Sequence, residues 1–244
     1  MRTGLCHMQT PVVVITGASR GLGKSMAVHF AQKGHKVVVA ARTLSELEQT
    51  AEQVRLLGGE ALAVATDISC EVQVQRMVEI ALNSFGRIDV LVNNAGISWW
   101  SSVEELAVDK WDEIMAVNLR GAFLCSKAVI PAMRDQGGGH IVFVSSAAGR
   151  RGLANRAAYS ASKSGLIAFA ETLATEVLPH RIKVTLVSPG DLDTTFTRHY
   201  PTGAHDQGQR ALLSPDDVAT TVVNVITGSS GGFCVTDLVV RPLW

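Results

Sequence analysis

The stretch PVVVITGASRGLGKS, residues 11–25, decides the fold because it joins two kinds of secondary structure through a glycine-rich turn. Residues 11–16 form a short, uninterrupted apolar run rich in β-branched side chains, which predicts a strand buried on both faces. Residues 21–34 repeat apolar side chains at helical spacing and end at Gly34, a residue type that commonly closes helices. The chain therefore opens with a strand, a tight turn and a helix.

The same alternation continues to the end of the chain. The predicted strands cover residues 11–16, 35–41, 60–67, 87–94, 137–146, 181–190 and 232–242. The predicted helices cover residues 21–34, 44–59, 70–86, 104–136 (in two pieces), 156–180 and 214–228. Because strands alternate with helices, we expect an α/β fold with a parallel sheet and helices on both faces. No linker or repeat divides the sequence, so we expect a flexible lead-in at 1–10 and one domain at 11–244.

Composition narrows the class of protein. The 244 residues carry 22 basic and 22 acidic side chains, and 47% are hydrophobic, which suits a large core and gives no basic surface for nucleic acid. The four cysteines are far apart and form no metal-ligand pattern, so we expect a reduced, cytoplasmic protein without a metal site. No apolar run approaches the ~18 residues of a membrane span, so we expect no membrane partner.

The turn after the first strand has the spacing of a phosphate-binding loop. Gly17, Gly21 and Gly23 follow a G-x-x-x-G-x-G pattern and would let the backbone approach a pyrophosphate at the N-terminus of the first helix. A tight turn without a ligand can show the same pattern. Its position between the first strand and the first helix favours a nucleotide site.

The end of the second strand indicates which dinucleotide would bind. Ala41 stands where an acid normally holds the ribose 2′-hydroxyl, Arg42 follows it, and Arg20 lies inside the glycine turn. Guanidinium groups suit a 2′-phosphate, so the pattern favours NADP(H) over NAD(H). The alternative is that both arginines are ordinary surface charges.

The stretch AAYSASKSG, residues 157–165, places Tyr159 and Lys163 four residues apart. On a helix such residues are neighbours, and an ammonium beside a phenol lowers the tyrosine pKa. Either a surface pair or a proton-transfer device is compatible with this spacing alone.

Taken together, these motifs resemble the short-chain dehydrogenase/reductase family over residues 11–240. The resemblance rests on Gly17-x-x-x-Gly21-x-Gly23, Asn93-Asn94-Ala95-Gly96, Asn118, Ser146, Tyr159-x-x-x-Lys163 and Ser188-Pro189-Gly190 with Thr194. It implies a Rossmann-like, doubly wound, seven-stranded parallel sheet in a homodimer or homotetramer. The last strand departs from the pattern of many relatives and looks more like NADPH-dependent reductases of hydroxy acids, aldehydes and ketones.

The resemblance also implies the roles of individual residues. Tyr159 would be the general acid in reduction and the base in oxidation, with Ser146 on the substrate oxygen. Lys163 would stay protonated and hold the nicotinamide ribose, and Asn118 would hold a relay water. The expected cofactor-binding residues are Gly17, Ser19, Arg20, Gly21, Leu22, Gly23, Ala41, Arg42, Thr43, Asp67, Ile68, Asn93, Asn94, Ala95, Gly96, Tyr159, Lys163, Pro189, Gly190, Leu192 and Thr194.

The substrate pocket is expected in the segments that follow the fourth, fifth and sixth strands. The candidates are Trp99, Trp100, Ala147, Leu153, Asn155, Phe196 and Tyr200. The two tryptophans form a pocket wall or, alternatively, pack under a loop and at a subunit contact. Arg150, Arg151 and Arg156 either bind a substrate carboxylate or form a solvated cluster. Residues 191–213 are expected to act as a mobile lid.

The leading interpretation is an NADPH-dependent reductase of a small ketone or aldehyde. A 3-oxoacyl-thioester (carrier protein) reductase is the first alternative, and it needs a basic approach surface such as Arg150 and Arg151. A non-catalytic NADP(H)-sensing regulator is the second, although such a protein would be expected to lose the tyrosine, lysine or serine.

Overall fold

A computed structural model of the chain describes residues 10–198, 212–228 and 232–243. Within these ranges the strands form the predicted seven-stranded parallel sheet, and their order in it is β3-β2-β1-β4-β5-β6-β7. The strands are β1 Val12–Thr16, β2 Lys36–Ala41, β3 Ala61–Ala65, β4 Val90–Asn93, β5 Gly139–Val144, β6 Ile182–Pro189 and β7 Asp237–Val240. The division into a lead-in and one domain stays a prediction, because residues 1–9 lie outside the described ranges.

Helices cover both faces of this sheet. They are α1 Gly21–Gln32, α2 Leu44–Leu56, α3 Glu71–Phe85, α4 Val108–Met115, α5 Gly121–Asp135, α6 Ala147–Arg150, α7 Ala157–Val177, α8 Thr195–Arg198 and α9 Pro215–Gly228. A π-helical turn, Ala116–Arg120, joins α4 to α5, so the predicted division of the 104–136 helix is confirmed. The sequence pattern missed α6 and α8, since four residues are too few to show a helical period.

All seven strands are shorter than predicted, and at β4 and β7 local contacts replace the predicted starts. The carboxylate of Asp89 accepts a hydrogen bond from the Val12 amide at 2.8 Å and pairs with Arg87, which shapes an irregular segment before β4. The Thr185 hydroxyl donates to the Val235 carbonyl at 2.6 Å, and β7 begins only at Asp237. The predicted starts at 87 and 232 were therefore too early.

The connection order places a crevice beside β1. The chain runs outward from β1 through β2 to β3 and then returns to β4 on the other side of β1, so Ile15 pairs with both Val39 and Val92. In open α/β sheets, ligands bind at the carboxyl ends of the strands where the strand order reverses in this way. This topology fixes the location of the site before any side chain is considered.

Two apolar layers enclose the sheet. Val12 and Val14 of β1 point into one layer, and Val13 and Ile15 point into the other, as expected of a strand buried on both faces. The stretch Val108–Asp135 is long and apolar enough to cross a membrane by length and composition, but 44% of its apolar window is buried within the protein. Core packing accounts for its apolar character.

Leu47 offers a test of the layer that contains α2. Its side chain is fully buried, so Leu47→Ala should lower the free energy of unfolding by about 2–5 kcal/mol through lost burial and a cavity. Leu56 on the same helix is 77% exposed, so Leu56→Ala should change the free energy of unfolding by less than about 0.5 kcal/mol. Urea unfolding followed by circular dichroism measures both variants. Equal losses would contradict the packing described here.

Candidate active site

A cleft of about 430 Å³ opens at the carboxyl ends of the strands, on both sides of β1. The predicted residues that line it are Gly17, Ser19, Arg20, Gly21, Leu22, Ala41, Arg42, Thr43, Asp67, Ile68, Asn94, Ala95, Gly96, Ser146, Tyr159, Lys163, Pro189, Gly190, Leu192, Thr194 and Phe196. Residues from distant parts of the sequence thus meet in one concave surface. A cleft of this volume suits an organic ligand rather than a small ion.

The glycine turn is built so tightly that larger residues cannot replace its glycines. Gly17 has φ +65°, and a Cβ there would lie 2.7 Å from the Ala95 Cα atom. A Cβ on Gly23 would overlap the Gly17 carbonyl and lie 2.5 Å from the Asn94 Nδ2 atom. Gly23 therefore supports the cleft from behind and does not line it, which corrects its predicted place in the cofactor contact surface.

Asn94 fastens the end of β4 to the glycine turn. Its Nδ2 atom donates to the carbonyls of Thr16 and Gly17 at 2.9 and 3.1 Å. The Thr16 hydroxyl oxygen accepts from the Asn94 and Ala95 amides. Asn93 points elsewhere: it is 4% exposed and donates to the Ser126 hydroxyl at 3.2 Å. Asn93 does not line the cleft, because consecutive residues at a strand end face opposite sides of the sheet, and its contact with the cofactor stays a prediction.

The N-terminus of α1 faces the cleft. Within the described chain, its N-cap residue Arg20 makes no side-chain capping hydrogen bond, so the amides of the first turn keep their capacity to bind an anion. Arg20 and Arg42 are both exposed at this end of the cleft. Glu46, in the first turn of α2, also lines it. Glu46 lies beyond the end of β2, where an acid is expected from the motif, so the sequence pattern does not indicate this carboxylate.

Tyr159 and Lys163 lie on α7 at the inner end of the cleft, 6% and 3% exposed. The Lys163 Nζ atom lies 5.9 Å from the centre of the Tyr159 ring and donates to the Val144 carbonyl at 2.7 Å. Burial lowers the pKa of Lys163 to about 8. A surface pair is therefore excluded, and both groups are held in a desolvated environment.

The pKa of Tyr159 differs from the sequence expectation. Burial raises it above its usual value, while a hydrogen bond with Ser146 and the charge of Arg156 act to lower it, and Asp191 raises it. Lys163 was expected to lower this pKa, but its ammonium is directed at the Val144 carbonyl. Burial thus disfavours the phenolate and favours the protonated phenol, which suits a proton donor.

Asn118 occupies the π-helical turn and is 1% exposed. It accepts a hydrogen bond from the Ile97 amide at 2.8 Å and donates to the Ile97 carbonyl at 2.9 Å and the Ser162 hydroxyl at 3.0 Å. A Cβ on Gly96 would lie 3.4 Å from Asn118 Oδ1 and 3.5 Å from Lys163 Nζ. Asn118 thus fixes the backbone after β4 beside Lys163, and π-helical turns of this kind are frequent at functional sites.

Most of the predicted substrate residues lie away from the main cleft. Phe196 does line it, with its ring 5.9 Å from the Tyr159 ring. Trp99 is 51% exposed and lies under the Lys110 amine. The other predicted substrate-pocket residues that do not line the cleft are Trp100, Ala147, Leu153 and Asn155. Tyr200 lies outside the described residues.

The three arginines near this end of the cleft do not form one cluster. Arg150 binds the Asp237 carboxylate at 2.6 Å and the Ser188 hydroxyl at 3.2 Å. Arg151 is exposed, whereas Arg156 is 5% exposed and lines the cleft. Sequence spacing could not separate these environments, since all three lie in one short segment.

Further residues line the cleft that were not among the predicted site residues. They include Glu46, Thr66, Ile97, Val117, Val144, Asp191 and Thr195. Asp191 could have been found, because it directly follows the sixth strand as Pro189 and Gly190 do. The proposed lid lies mainly outside the described residues; its described ends are joined where the Asp193 amide donates to the Leu213 carbonyl at 2.9 Å. Lid motion stays a prediction.

A doubly wound sheet with a glycine turn at the strand reversal and a buried Tyr–Lys pair defines a nucleotide-binding oxidoreductase. The chain belongs to the short chain dehydrogenase family, whose pattern matches residues 11–204. The recognised resemblance is thereby confirmed.

Individual relatives agree with this assignment. An uncharacterised oxidoreductase from Thermotoga maritima is 40% identical, over 75% of this chain and 72% of that protein. A 3-oxoacyl-[acyl-carrier-protein] reductase from Synechocystis sp. is 38% identical, over 77% and 76% of the two chains. A metagenomic short-chain oxidoreductase crystallised in complex with NADP superimposes with a TM-score of 0.84 at 33% identity, covering 97% and 98% of the chains.

The glycine turn generates a prediction about nucleotide binding. Gly23→Ala should weaken NADPH binding by at least about tenfold, because the added methyl group displaces the Gly17 carbonyl and Asn94. Gly228→Ala is the control, since a Cβ there meets nothing within 4 Å. Fluorescence titration measures both dissociation constants. Unchanged binding in Gly23→Ala would contradict the role given to this turn.

Proposed function

We propose that this protein is an NADP(H)-dependent oxidoreductase that reduces a ketone or aldehyde to an alcohol, with Tyr159 as the proton donor. The observation that carries the proposal is the buried Tyr159 phenol, hydrogen-bonded to Ser146 and flanked by Lys163 inside the glycine-lined cleft. When bound, the dihydronicotinamide supplies the hydride that this chemistry requires.

The cleft residues fit a dinucleotide. The α1 N-terminus and the close-packed glycine turn would hold the pyrophosphate, and Asp67 and Ile68 would border the adenine. Gly96, Pro189 and Thr194 line the inner part, where the nicotinamide would lie. Because Gly96 has no side chain, the backbone there could contact the flat nicotinamide ring directly.

The preference for NADP(H) over NAD(H) is part of the proposal. Arg20 and Arg42 can pair with a 2′-phosphate, and a structural relative binds NADP. The Glu46 carboxylate at the same end of the cleft would repel a 2′-phosphate, and it could instead accept a hydrogen bond from a ribose hydroxyl. Two cations against one carboxylate favour the phosphate.

The chemistry requires a proton and a hydrogen-bond donor at the substrate oxygen. Tyr159 donates its phenol proton as negative charge develops on that oxygen. The Ser146 oxygen accepts a hydrogen bond from the Ala148 amide at 3.1 Å, which orients the hydroxyl so that its proton can be donated into the cleft. Lys163 lies beside Gly96, where its amine would hold the nicotinamide ribose.

We also propose that the protein forms a homodimer or homotetramer and that it is cytoplasmic. Val108 and Trp111 of α4 and Phe123 of α5 are 74%, 36% and 44% exposed, and burial of such a surface would support a homodimer or homotetramer. A cytoplasmic location is supported by free thiols at Cys70, Cys125 and Cys234.

A 3-oxoacyl-thioester reductase is the second candidate, favoured by the Synechocystis relative. Its acidic carrier protein would need a basic surface near the cleft. Arg150 is engaged by Asp237, which leaves Arg151 as the exposed cation of that pair. Turnover of a carrier-bound substrate that falls in Arg151→Glu, with free small ketones unaffected, would favour this candidate.

Tyr159→Phe tests the central step. Loss of the proton donor should reduce turnover by about 10²- to 10⁴-fold, while the NADPH dissociation constant changes by less than about threefold. Steady-state assays on a panel of ketones and aldehydes, with parallel binding titrations, measure both quantities. A variant that retains full turnover would overturn the assignment, and a native protein that binds NADPH without turning over any carbonyl would favour the regulator.

Removal of Arg42 tests the cofactor preference. Arg42→Leu should weaken NADPH binding by about 10- to 100-fold through loss of a charge-assisted hydrogen bond, with NADH binding unchanged. Arg76→Leu, an exposed charge removal on α3, is the matched control. If Arg42→Leu weakens the binding of NADPH and NADH equally, or if the native protein binds NADH more tightly than NADPH, Arg42 does not bind a 2′-phosphate.

A further inference from the structure

Tyr159 has a second buried cation beside it, in addition to Lys163. The guanidinium carbon of Arg156 lies 5.6 Å from the centre of the Tyr159 ring, and the Lys163 Nζ atom lies 5.9 Å from the same point. Arg156 is only 5% exposed and lines the cleft with Tyr159 and Ser146. The two cations therefore stand at similar distances from the phenol in an environment where water screens them poorly.

The loop after β4 holds Arg156 in this position. Its guanidinium carbon lies 5.3 Å from the centre of the Trp100 ring, so the group lies between two aromatic side chains. The backbone of Arg156 is fixed as well. It forms an isolated parallel β-bridge with Ser101, and its carbonyl accepts a hydrogen bond from the Ser160 amide at 2.8 Å. Trp100, which was expected to form a pocket wall, instead supports this arginine.

The other groups around the phenol act in different directions. Ser146 hydrogen-bonds to it from the start of α6, Asp191 approaches it from the end of β6, and the uncharged Phe196 ring of α8 packs beside it. Lys163 directs its ammonium at the Val144 carbonyl. Burial and Asp191 raise the pKa of Tyr159, and Ser146 and Arg156 lower it. Arg156 is thus the cation that offsets the cost of forming a buried phenolate.

We infer that Arg156 is a positioning residue of the reaction: its guanidinium, held between Trp100 and Tyr159, stabilises the phenolate that Tyr159 becomes when it gives up its proton. Once the carbonyl carbon has received a hydride, the phenol O–H bond breaks, an alcohol O–H bond forms on the substrate oxygen, and the negative charge passes from that oxygen to the phenolate. The kinetic consequence rests on the proposed function of Tyr159, whereas the effect on the phenol is a property of the protein alone.

The sequence allows the phenol to be titrated directly. The chain has two tyrosines, so Tyr200→Phe leaves Tyr159 as the single tyrosine. In that background, ultraviolet absorbance of tyrosinate, read immediately after a pH jump, gives the pKa of Tyr159 in the folded protein. Arg156→Met should raise this pKa by about one unit, because removing a nearby cation disfavours the phenolate. Arg156→Lys should restore part of the shift, and the exposed Arg151→Met should leave the pKa unchanged.

The pH profile of alcohol oxidation provides the second measurement. Oxidation needs the phenolate, so the acid limb of kcat/KM should move to higher pH in Arg156→Met by the same amount, and thermal unfolding checks that each variant is folded. An unchanged Tyr159 pKa in Arg156→Met, or equal shifts in the Met and Lys variants, would overturn the inference. A shifted pKa in a protein that turns over no carbonyl would uphold the inference and contradict the proposed function.

Discussion

The close contact between the glycine turn and the end of β4 is the constraint on which the rest of the site depends. Gly17 lies against Ala95, and Asn94 reaches back to the carbonyls of Thr16 and Gly17. This contact joins the two central strands at the reversal of strand order and leaves the α1 amides facing the cleft. Any side chain at Gly17 or Gly23 would force the two segments apart, so nucleotide binding and sheet geometry are coupled through a few atoms.

The end of the cleft that holds Tyr159 and Lys163 is organised by the same segment. After Asn94 the chain continues through Gly96 and Ile97 to the tryptophans, and Asn118 holds Ile97 at both backbone atoms. Lys163 fits beside Gly96, and Trp100 supports Arg156 against Tyr159. The segment after β4 thereby contacts the glycine turn and Lys163, and it carries the tryptophan that packs on Arg156.

Sequence reasoning found the sheet because apolar β-branched runs and helical periods have strong local signatures. It placed Tyr159, Lys163 and Ser146 together because their order along the chain resembles a known family. It failed where tertiary contacts decide: Asn93 and Asn94 face opposite sides of the sheet, and Arg150 is exposed and paired with Asp237 whereas Arg156 is buried beside Trp100. Glu46 escaped attention because helix α2 brings its first turn into the cleft from outside the expected motif.

The most direct test of the account follows a labelled hydride. NADPH deuterated at the transferable position is incubated with the protein and a panel of ketones and aldehydes, and the products are examined by mass spectrometry. The account predicts an alcohol carrying one deuterium on its carbinol carbon, formed in step with NADPH oxidation. NADPH oxidation without deuterated alcohol, or no reaction across the panel despite tight NADPH binding, would contradict it.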